Sequence, residues 1–309
     1  MLNLLIFESI TANLKNIKKL PKLLSQKEFE SMKMQGEAML DALYSDLKHI
    51  KQLNITIGKQ KFGETALDFF SEVIPKIDLV WVIAPESDGE LERFHIASQK
   101  KLWIGSGLHA IRLTSNKLET KKYLKSLGIS TPDEITLKSL RKNNYIKAVR
   151  KPLDGAGTTD TYIIENEKNI IHTLYKKQSY FFLEEWVEGT AYSVSLNCRL
   201  SGFDILSINK QHITVNHLGK LIYTGVEPVE SKLFKRLREN ILPTLHLIVV
   251  NISDLRGFIG VDFILNENSQ ISIIEINPRL TCSYIGLSKY NRDNTAVKIL
   301  NSFEIKDLV

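Results

Sequence analysis

The first 112 residues alternate between apolar runs and segments whose apolar residues recur at helical spacing. Residues 2–7 form an apolar run that indicates a buried strand, and residues 79–84 form another that ends at Pro85. Two segments between them predict helices, with apolar positions at Met32, Met39, Leu43, Leu47 and Ile50 in the first and Leu67, Phe70, Val73 and Ile74 in the second. Because strands that alternate with helices form parallel sheets, we expect an α/β domain here.

From about residue 145 onward, the pattern changes to short β-rich runs separated by turn signals. Such runs predict antiparallel sheets. The predicted strands are 145–149, 161–164, 180–187, 191–199, 205–209, 257–265 and 270–277. Helices are expected at 166–175 and 231–249, and Pro243 can kink or restart the second one. We therefore predict a parallel α/β N-terminal domain over 1–112, followed by two antiparallel α+β subdomains over 113–180 and 181–309.

Composition narrows the class of protein. With 309 residues, of which 43% are apolar and 25% charged, the chain is typical of a globular protein with two or three subdomains. No apolar run reaches the roughly 20 residues of a membrane helix, and the opening lacks a secretory leader, so we expect a cytoplasmic protein. Cys198 and Cys282 lie far apart without a Cys/His cluster, which favours two buried thiols over a disulfide or a zinc site.

The formal net charge of +6 raises the question of nucleic-acid binding. Lysines and arginines are spread through the chain, and their short clusters are more typical of solvated helix faces than of a binding patch. The clusters are Lys15, Lys18, Lys19 and Lys22 in one segment and Lys232, Lys235, Arg236 and Arg238 in another. We expect no nucleic acid among the partners, while a mild positive field would help to gather anionic substrates.

A glycine-rich segment follows a predicted strand that ends at a lysine and a proline. Glycines let the backbone approach a ligand and leave N–H groups free for phosphate oxygens, while the lysine adds a positive charge. The candidate phosphate-binding residues are Lys151, Gly155, Ala156, Gly157 and Thr158. Taken alone, a Gly-x-Gly between strands is more often only a turn, and this one is neither the dinucleotide fingerprint nor a Walker loop.

Two later strands carry oxygen-bearing side chains between apolar residues. Asp262 lies in the first strand, and Glu275 and Asn277 lie in the second, before Arg279. If the strands pair, the three side chains project from one face, and Mg²⁺ prefers such hard oxygen ligands together with nucleotide phosphates. Arg279 would then lie near a transferring phosphoryl group, whose charge a guanidinium stabilises. The alternative is a surface salt bridge for Asp262 and an outward-facing Glu275.

Two further segments are candidates for the walls of a ligand site. Residues 181–189 form an apolar strand that runs into a turn, and such a hinge can provide the apolar slot that a nucleotide base needs. Ligands of parallel sheets bind beyond the carboxyl ends of the strands, which points to Glu8, Ser9 and the loop 85–89. Each of these residues is at least as typical of a solvated turn.

These elements, in this order and spacing, resemble the ATP-grasp superfamily from about residue 115 to the end of the chain. The resemblance implies that Lys117, in the segment Thr-Ser-Asn-Lys, and Lys151 are the two lysines of that family. It further implies an adenine hinge and metal ligands, which are Glu184, Glu185 and Val187 for the hinge and Asp262, Glu275 and Asn277 for the metal. Lys210 is a looser match to a further basic residue that contacts phosphate.

One departure from that family concerns the ribose. The hinge is often followed by an acid that binds the ribose, whereas residues 191–193 are Ala, Tyr and Ser. The resemblance therefore leaves Glu188 or a backbone group for this task.

Within the superfamily, segments 35–40, 82–86 and 275–281 are similar to the branch that contains the tyramine-glutamate ligases of methanofuran biosynthesis. A branch that builds an amide on lysine in pyrrolysine synthesis is also similar around the hinge and the metal strand. The resemblance implies binding of ATP with Mg²⁺ or Mn²⁺, and an ADP-forming ligase that joins a carboxylate to an amine through an acyl phosphate. The expected catalytic residues are Arg279, Lys151 and Lys210, and the expected partners are a small-molecule carboxylate and amine, with no membrane and a possible homodimer.

Three alternatives stay open. The first is a nucleotide-binding regulatory protein, and the second is a ligase for another amino acid and amine. The third and weakest is a basic nucleic-acid-binding protein. The lysines and acids argue against the regulatory protein, because binding without turnover would not require all three metal ligands.

Overall fold

The computed structural model describes residues 1–12, 26–98, 100–140, 145–155, 157–175 and 180–305. Ala156 and the cluster Lys15, Lys18, Lys19 and Lys22 lie outside the described residues, so the predictions made for them stay predictions. Throughout the described part of the chain, every helix is too short or too polar to cross a bilayer.

A parallel four-stranded sheet with helices on both faces forms the N-terminal part, as predicted. The strand order is β2-β1-β3-β4. The strands are β1 (Leu2–Glu8), β2 (Leu53–Ile57), β3 (Leu79–Ile83) and β4 (Leu102–Trp103). The helices are α1 (Ser9–Ala12), α2 (Gln26–Leu47), α3 (Ala66–Val73), α4 (Glu90–Ala97) and α5 (Leu108–Ser115), with 3₁₀ turns at Ile74–Lys76 and Ser87–Gly89.

The strand β1 lies inside this sheet, and its residues alternate between two cores. Leu4 and Ile6 belong to the core that α2 covers, whereas Leu5 and Phe7 pack with Phe70 of α3. Because helices cover both faces of the sheet, the residues on both sides of this strand are apolar, which gives a continuous apolar run in the sequence. Its carboxyl end carries Glu8 to the same sheet edge as the end of β3, with which it pairs in parallel.

A three-stranded antiparallel sheet in the order β6-β5-β7 follows. This part contains β5 (Lys147–Pro152), β6 (Tyr162–Glu165) and β7 (Phe181–Glu185), together with α6 (Lys117–Ser126), α7 (Leu137–Leu140) and α8 (Glu167–Tyr175). The domain boundary drawn from the sequence assigns β7 to the third domain, yet β7 is hydrogen-bonded to β5. The three domain ranges stay a prediction, and the second sheet extends five residues beyond the predicted boundary.

The remaining strands form a five-stranded antiparallel sheet in the order β10-β9-β8-β11-β12. They are β8 (Thr190–Cys198), β9 (Phe203–Val215), β10 (Leu221–Pro228), β11 (Gly257–Leu265) and β12 (Ile271–Asn277). The helices of this part are α9 (Ser231–Asn251), α10 (Leu287–Asn291) and α11 (Thr295–Asn301), with a 3₁₀ turn at Cys282–Tyr284. The sequence prediction missed β10 and ended β9 six residues early, at residue 209.

The helix α9 covers one face of the five-stranded sheet. Its buried residues are Leu237, Ile241, Leu245 and Ile248. Pro243 lies inside one continuous helix, because the core contacts on both sides of it outweigh the loss of a backbone hydrogen bond. The basic residues of this helix that were predicted to be solvated, Lys232, Lys235, Arg236 and Arg238, are exposed. Of the two free thiols, Cys198 is buried as predicted, whereas Cys282 is only half-buried.

Candidate active site

A cleft of about 890 Å³ opens between the three sheets. Its walls are the edge of the parallel sheet, the glycine-rich segment after β5, the hinge after β7 and the polar face of the five-stranded sheet. Most of the predicted site residues line it: Lys117, Lys151, Gly155, Gly157, Thr158, Glu184, Glu185, Val187, Asp262, Glu275, Asn277 and Arg279. An apolar cleft with a few convergent charged groups is typical of a small-molecule site.

Glu184 lies between two lysines at one wall of the cleft. Its carboxylate is 2.5 Å from the Nζ of Lys151 and 2.7 Å from the Nζ of Lys121. Burial alone would raise the pKa of Glu184, but the two ammonium groups outweigh it and hold that pKa below its usual value. Burial is also the main reason that the pKa of Lys121 falls to about 8. The carboxylate therefore stays ionised and fixes the ammonium of Lys151 at the cleft.

Lys121 was missed by the sequence analysis. It follows Lys117 by four residues, so both side chains lie on one face of α6. This spacing is the signal that could have revealed it, because it places a second ammonium group on the face of α6 that carries Lys117.

Lys117 is the first residue of α6, whose N-cap Asn116 accepts hydrogen bonds from two backbone N–H groups of the first turn. The ammonium of Lys117 donates a 2.6 Å hydrogen bond to the carbonyl of Gly155 and lies 3.0 Å from Oε1 of Glu275. A single buried cation thus joins the glycine-rich segment to the acidic strand.

The strands β11 and β12 pair so that Asp262 lies opposite Glu275 and Gly260 lies opposite Asn277. Because opposed residues share a face, the three oxygen-bearing side chains project together, as the sequence predicted for paired strands. Burial, and then the carboxylate of Glu275, raise the pKa of Asp262 to about 7. This floor of the cleft therefore carries negative charge that the protein compensates only in part.

Two amides hold the Asp262 carboxylate in place. Asn277 donates to its Oδ2 at 3.4 Å, and Gln211 of β9 donates to its Oδ1 at 3.1 Å. Two carboxylates and an amide are hard oxygen ligands. Within the described ranges, no group of three or more His, Cys, Asp or Glu side chains could hold a metal ion by itself. Mg²⁺ usually keeps phosphate and water oxygens among its ligands, so this incomplete set fits it.

The structure does not bring Lys210 to the cleft. Its side chain is exposed, and Tyr192, which lies across from it on β8, packs in the core on the far side of the sheet. Because successive residues of a strand point to opposite faces, the cleft is lined by Gln211 instead. The placement argues against the predicted role of Lys210, and the sequence analysis missed Gln211.

Arg279 lies beside the acidic floor and is paired with Glu86 of the loop after β3. Its Nε donates to Oε1 of Glu86 at 3.0 Å, and its Nη2 donates to Oε2 at 2.9 Å. Its Nη1 donates to the carbonyl of Leu280 at 3.1 Å. Burial opposes the charge, but the carboxylate of Glu86 outweighs it and raises the pKa of Arg279. The loop 85–89 therefore reaches the site, as its position after a parallel strand predicts.

The glycine-rich segment is bound to that same loop. The carboxylate of Asp154 accepts a 2.9 Å hydrogen bond from the backbone N–H of Asp88 and another from the hydroxyl of Tyr180. Gly155 and Gly157 have φ angles of +112° and +64°, which favour glycine. Both glycines line the cleft, and other residues would strain the backbone at these two positions.

The hairpin of β9 and β10 closes the other side of the mouth. The N–H of Ile163 donates to the carbonyl of Gly219 at 2.8 Å, and the N–H of Leu221 donates to the carbonyl of Thr161 at 2.9 Å. The N–H of Tyr223 donates to the hydroxyl of Thr158 at 3.1 Å. These contacts join the edge of the small sheet to the edge of the large one.

The hinge after β7 forms an apolar wall. Glu185, Val187 and Ala191 line the cleft there. Glu188, which the sequence analysis considered for the ribose, is exposed and lies 3.7 Å from the Nζ of Lys147. Glu188 does not line the cleft, so of the two candidates for binding the ribose, Glu188 and a backbone group, the backbone group remains.

The carboxyl end of β1 brings Glu8 into the cleft, whereas its neighbour Ser9 does not line it. The carboxylate of Glu8 accepts a 2.7 Å hydrogen bond from the N–H of Thr11, and burial raises its pKa. A Cβ added at Gly36 of α2 would come within 2.7 Å of this carboxylate. Glycine at that position lets the helix pack against the acid.

Two family models match this chain. Residues 114–283, more than half of the chain, match the family described as ATP-grasp domain, and residues 38–111 match the pre ATP-grasp 3 domain. The tyramine–L-glutamate ligase of Methanocaldococcus fervens is 30% identical over 221 residues, which are 69% of this chain and 62% of that protein. The ligase of the same name from Methanocaldococcus jannaschii is 27% identical and aligns with 90% of this chain and 87% of its own length.

Solved structures share the fold. The D-alanine–D-alanine ligase of Bacillus anthracis complexed with ATP has a TM-score of 0.67 at 16% identity, covering 99% of both chains. The D-alanyl-alanine synthetase A of Vibrio cholerae has a TM-score of 0.70 at 13% identity, covering 99% of this chain and 98% of its own. At these identities the likeness concerns the fold alone.

Proposed function

Because the chain belongs to the ATP-grasp family, we propose that it is an ADP-forming ligase that uses ATP to join a carboxylate to an amine. The observation that carries the proposal is the cleft in which Lys117 and Lys151 face Asp262, Glu275 and Asn277. Cations on one wall and oxygen ligands on the other are what a nucleoside triphosphate with a divalent ion requires.

Each wall of the cleft has its own task in this proposal. Lys117 and Lys151, with the backbone of the glycine-rich segment, bind the phosphates, while the hinge residues Glu185 and Val187 hold the base. Asp262, Glu275 and Asn277 hold Mg²⁺ or Mn²⁺, which supplies charge neutralisation for phosphoryl transfer.

The substrate carboxylate attacks the γ-phosphate of ATP and forms an acyl phosphate with release of ADP. The amine then displaces phosphate and forms the amide. Arg279 lies at the edge of the acidic floor, where its remaining N–H groups can stabilise the transferred phosphoryl group. The glycine-rich segment and the hairpin of β9 and β10 shield the sides of the cleft, which favours the amine over water as the nucleophile.

For the substrates we propose glutamate and tyramine, or a related aromatic amine, in methanofuran-type cofactor synthesis. The two Methanocaldococcus relatives named above support this pair. The cleft supports it as well, because the buried carboxylate of Glu8 can receive an ammonium group, while Met32, Met39 and Tyr223 supply apolar walls for the body of an amine.

The test is ADP release and product mass in the presence of ATP, Mg²⁺, glutamate and tyramine, followed by a pooled amino-acid and amine screen. The variant Glu275→Ala should lose substrate-dependent ADP formation, whereas Glu267→Ala, in the exposed turn between β11 and β12, serves as the control. Near-normal phosphate release from Glu275→Ala would refute the metal assignment. Nucleotide binding without ADP formation from any pair would favour the regulatory protein instead.

A further inference from the structure

We propose that Glu86 is a positioning residue that sets the orientation of the Arg279 guanidinium toward the transferred phosphoryl group. This inference rests on the proposed function, since it concerns the same site. Glu86 does not line the cleft, whereas Arg279 does, so we expect the effect of the Glu86 carboxylate on a ligand to pass through the arginine.

The hydrogen bonds of Arg279 account for most of its donors. Guanidinium carries five N–H groups, of which two go to Glu86 and one to the carbonyl of Leu280. The bidentate contact fixes the plane of the group as well as its place. The other two N–H groups, one on Nη1 and one on Nη2, have no acceptor among the described residues and are available to a ligand in the cleft.

Stability alone does not explain this pair. The side chains of Arg279 and Glu86 are only 9% and 4% exposed, and burying an ion pair costs desolvation that apolar residues would avoid. A buried pair whose arginine faces a ligand cleft is better explained by the need for an oriented charge at that place.

The same loop also touches the segment that covers the cleft. The N–H of Asp88 donates to Asp154, and a Cβ at Gly155 would lie 3.6 Å from Oγ of Ser87. Glu86 thus belongs to a short stretch that contacts both the arginine and the glycine-rich segment. Because Glu86 follows β3 of the N-terminal sheet, its pairing with Arg279 makes the orientation of the arginine depend on how that sheet packs against the rest of the chain.

The experiment measures binding of ADP–Mg²⁺ with and without aluminium fluoride, a mimic of the transferred phosphoryl group, by calorimetry. Glu86→Gln should weaken binding of the fluoride complex at least tenfold while leaving the affinity for ADP within twofold. The matched control is Glu92→Gln, which removes a partly exposed carboxylate from Arg112 in the same domain and should change neither. Glu86→Asp, which keeps the charge, should recover part of the loss and also serves if Glu86→Gln fails to fold.

A double-substitution cycle decides whether the effect passes through the arginine. The double variant Glu86→Gln/Arg279→Gln should bind the fluoride complex no more weakly than Arg279→Gln alone. Additive losses, or a Glu86→Gln protein that behaves like Glu92→Gln, would overturn the inference. Wild-type protein that traps ADP with aluminium fluoride but forms no amide would contradict the proposed function and leave this result standing.

Discussion

Glu184, which is buried, and Asp262, which is half-buried, are two carboxylates on the wall of one cleft, and their surroundings are opposite. Glu184 has an ammonium group on each side, which holds its pKa low despite burial. Asp262 has two amides and a second carboxylate, and its pKa rises to about 7. Glu184 is paired with cations of the protein, whereas Asp262 forms no ion pair with any described residue and is influenced only by the more distant Arg279. Their charge partners therefore separate an acid that holds the fold from the acid that we propose as a metal ligand.

The largest expected effect tests whether Glu184 stabilises the fold. Glu184→Gln leaves Lys121 and Lys151 buried without their carboxylate, which should cost about 3–5 kcal/mol of unfolding free energy. Urea denaturation measures the change. The control Glu119→Gln, which breaks an exposed pair with Lys122 on α6, should leave the midpoint unchanged. Equal midpoints for Glu184→Gln and wild type would remove the distinction.

Replacing Asp262 should change the unfolding free energy in the opposite direction from replacing Glu184. Asp262→Asn removes a charge that desolvation and the carboxylate of Glu275 disfavour, so the ligand-free protein should gain about 2 kcal/mol of unfolding free energy at pH 8. Turnover with ATP and Mg²⁺ should nevertheless fall on the order of 100-fold or more, because the proposed metal site loses a ligand. Denaturation and ADP release are measured on the same sample. A destabilised Asp262→Asn protein would show that the protein compensates the charge of Asp262, as it does that of Glu184.

The pH dependence sharpens the same contrast. Between the ordinary aspartate pKa of 3.8 and a folded pKa of about 7, folded Asp262 keeps a proton that the unfolded chain releases. The ligand-free stability contributed by this group should therefore fall as the pH rises through that window. The difference in unfolding free energy between wild type and Asp262→Asn, followed from pH 4 to pH 8, should show this slope. A constant difference would contradict the raised pKa.

The smallest expected effect concerns neighbouring residues of β9. Gln211→Ala removes an amide that holds Asp262 and should lower turnover about 10-fold, in the range seen for groups that orient metal ligands. Lys210→Ala should leave turnover within about twofold, since the side chain points away from the cleft. A larger loss for Lys210→Ala than for Gln211→Ala would restore the assignment made from the sequence.

The sequence predicts those features of the fold that depend on a local pattern of apolar and polar residues. The parallel arrangement follows from the apolar runs at β1 and β3, and the shared face of Asp262 and Glu275 follows from strand alternation. The edge strand β10 was missed because Thr, Gly and Glu interrupt its apolar positions. Since β9 was expected to end at residue 209, the facing of Lys210 and Gln211 could not be deduced.

Contacts between distant segments could not be predicted in this way. Glu86 and Arg279 are 193 residues apart, and Lys121 meets Glu184 across two different elements. A single sequence shows that a charged residue is present, but the partner that determines its pKa is set by tertiary packing.

The bonds that close the mouth of the cleft give the protein a built-in reporter. The amides of Ile163 and Leu221 donate to main-chain carbonyls of the opposite sheet edge, so they survive side-chain replacement. Both bonds must break whenever the two edges separate. Deuterium uptake at these two amides therefore reports how often the two sheet edges separate.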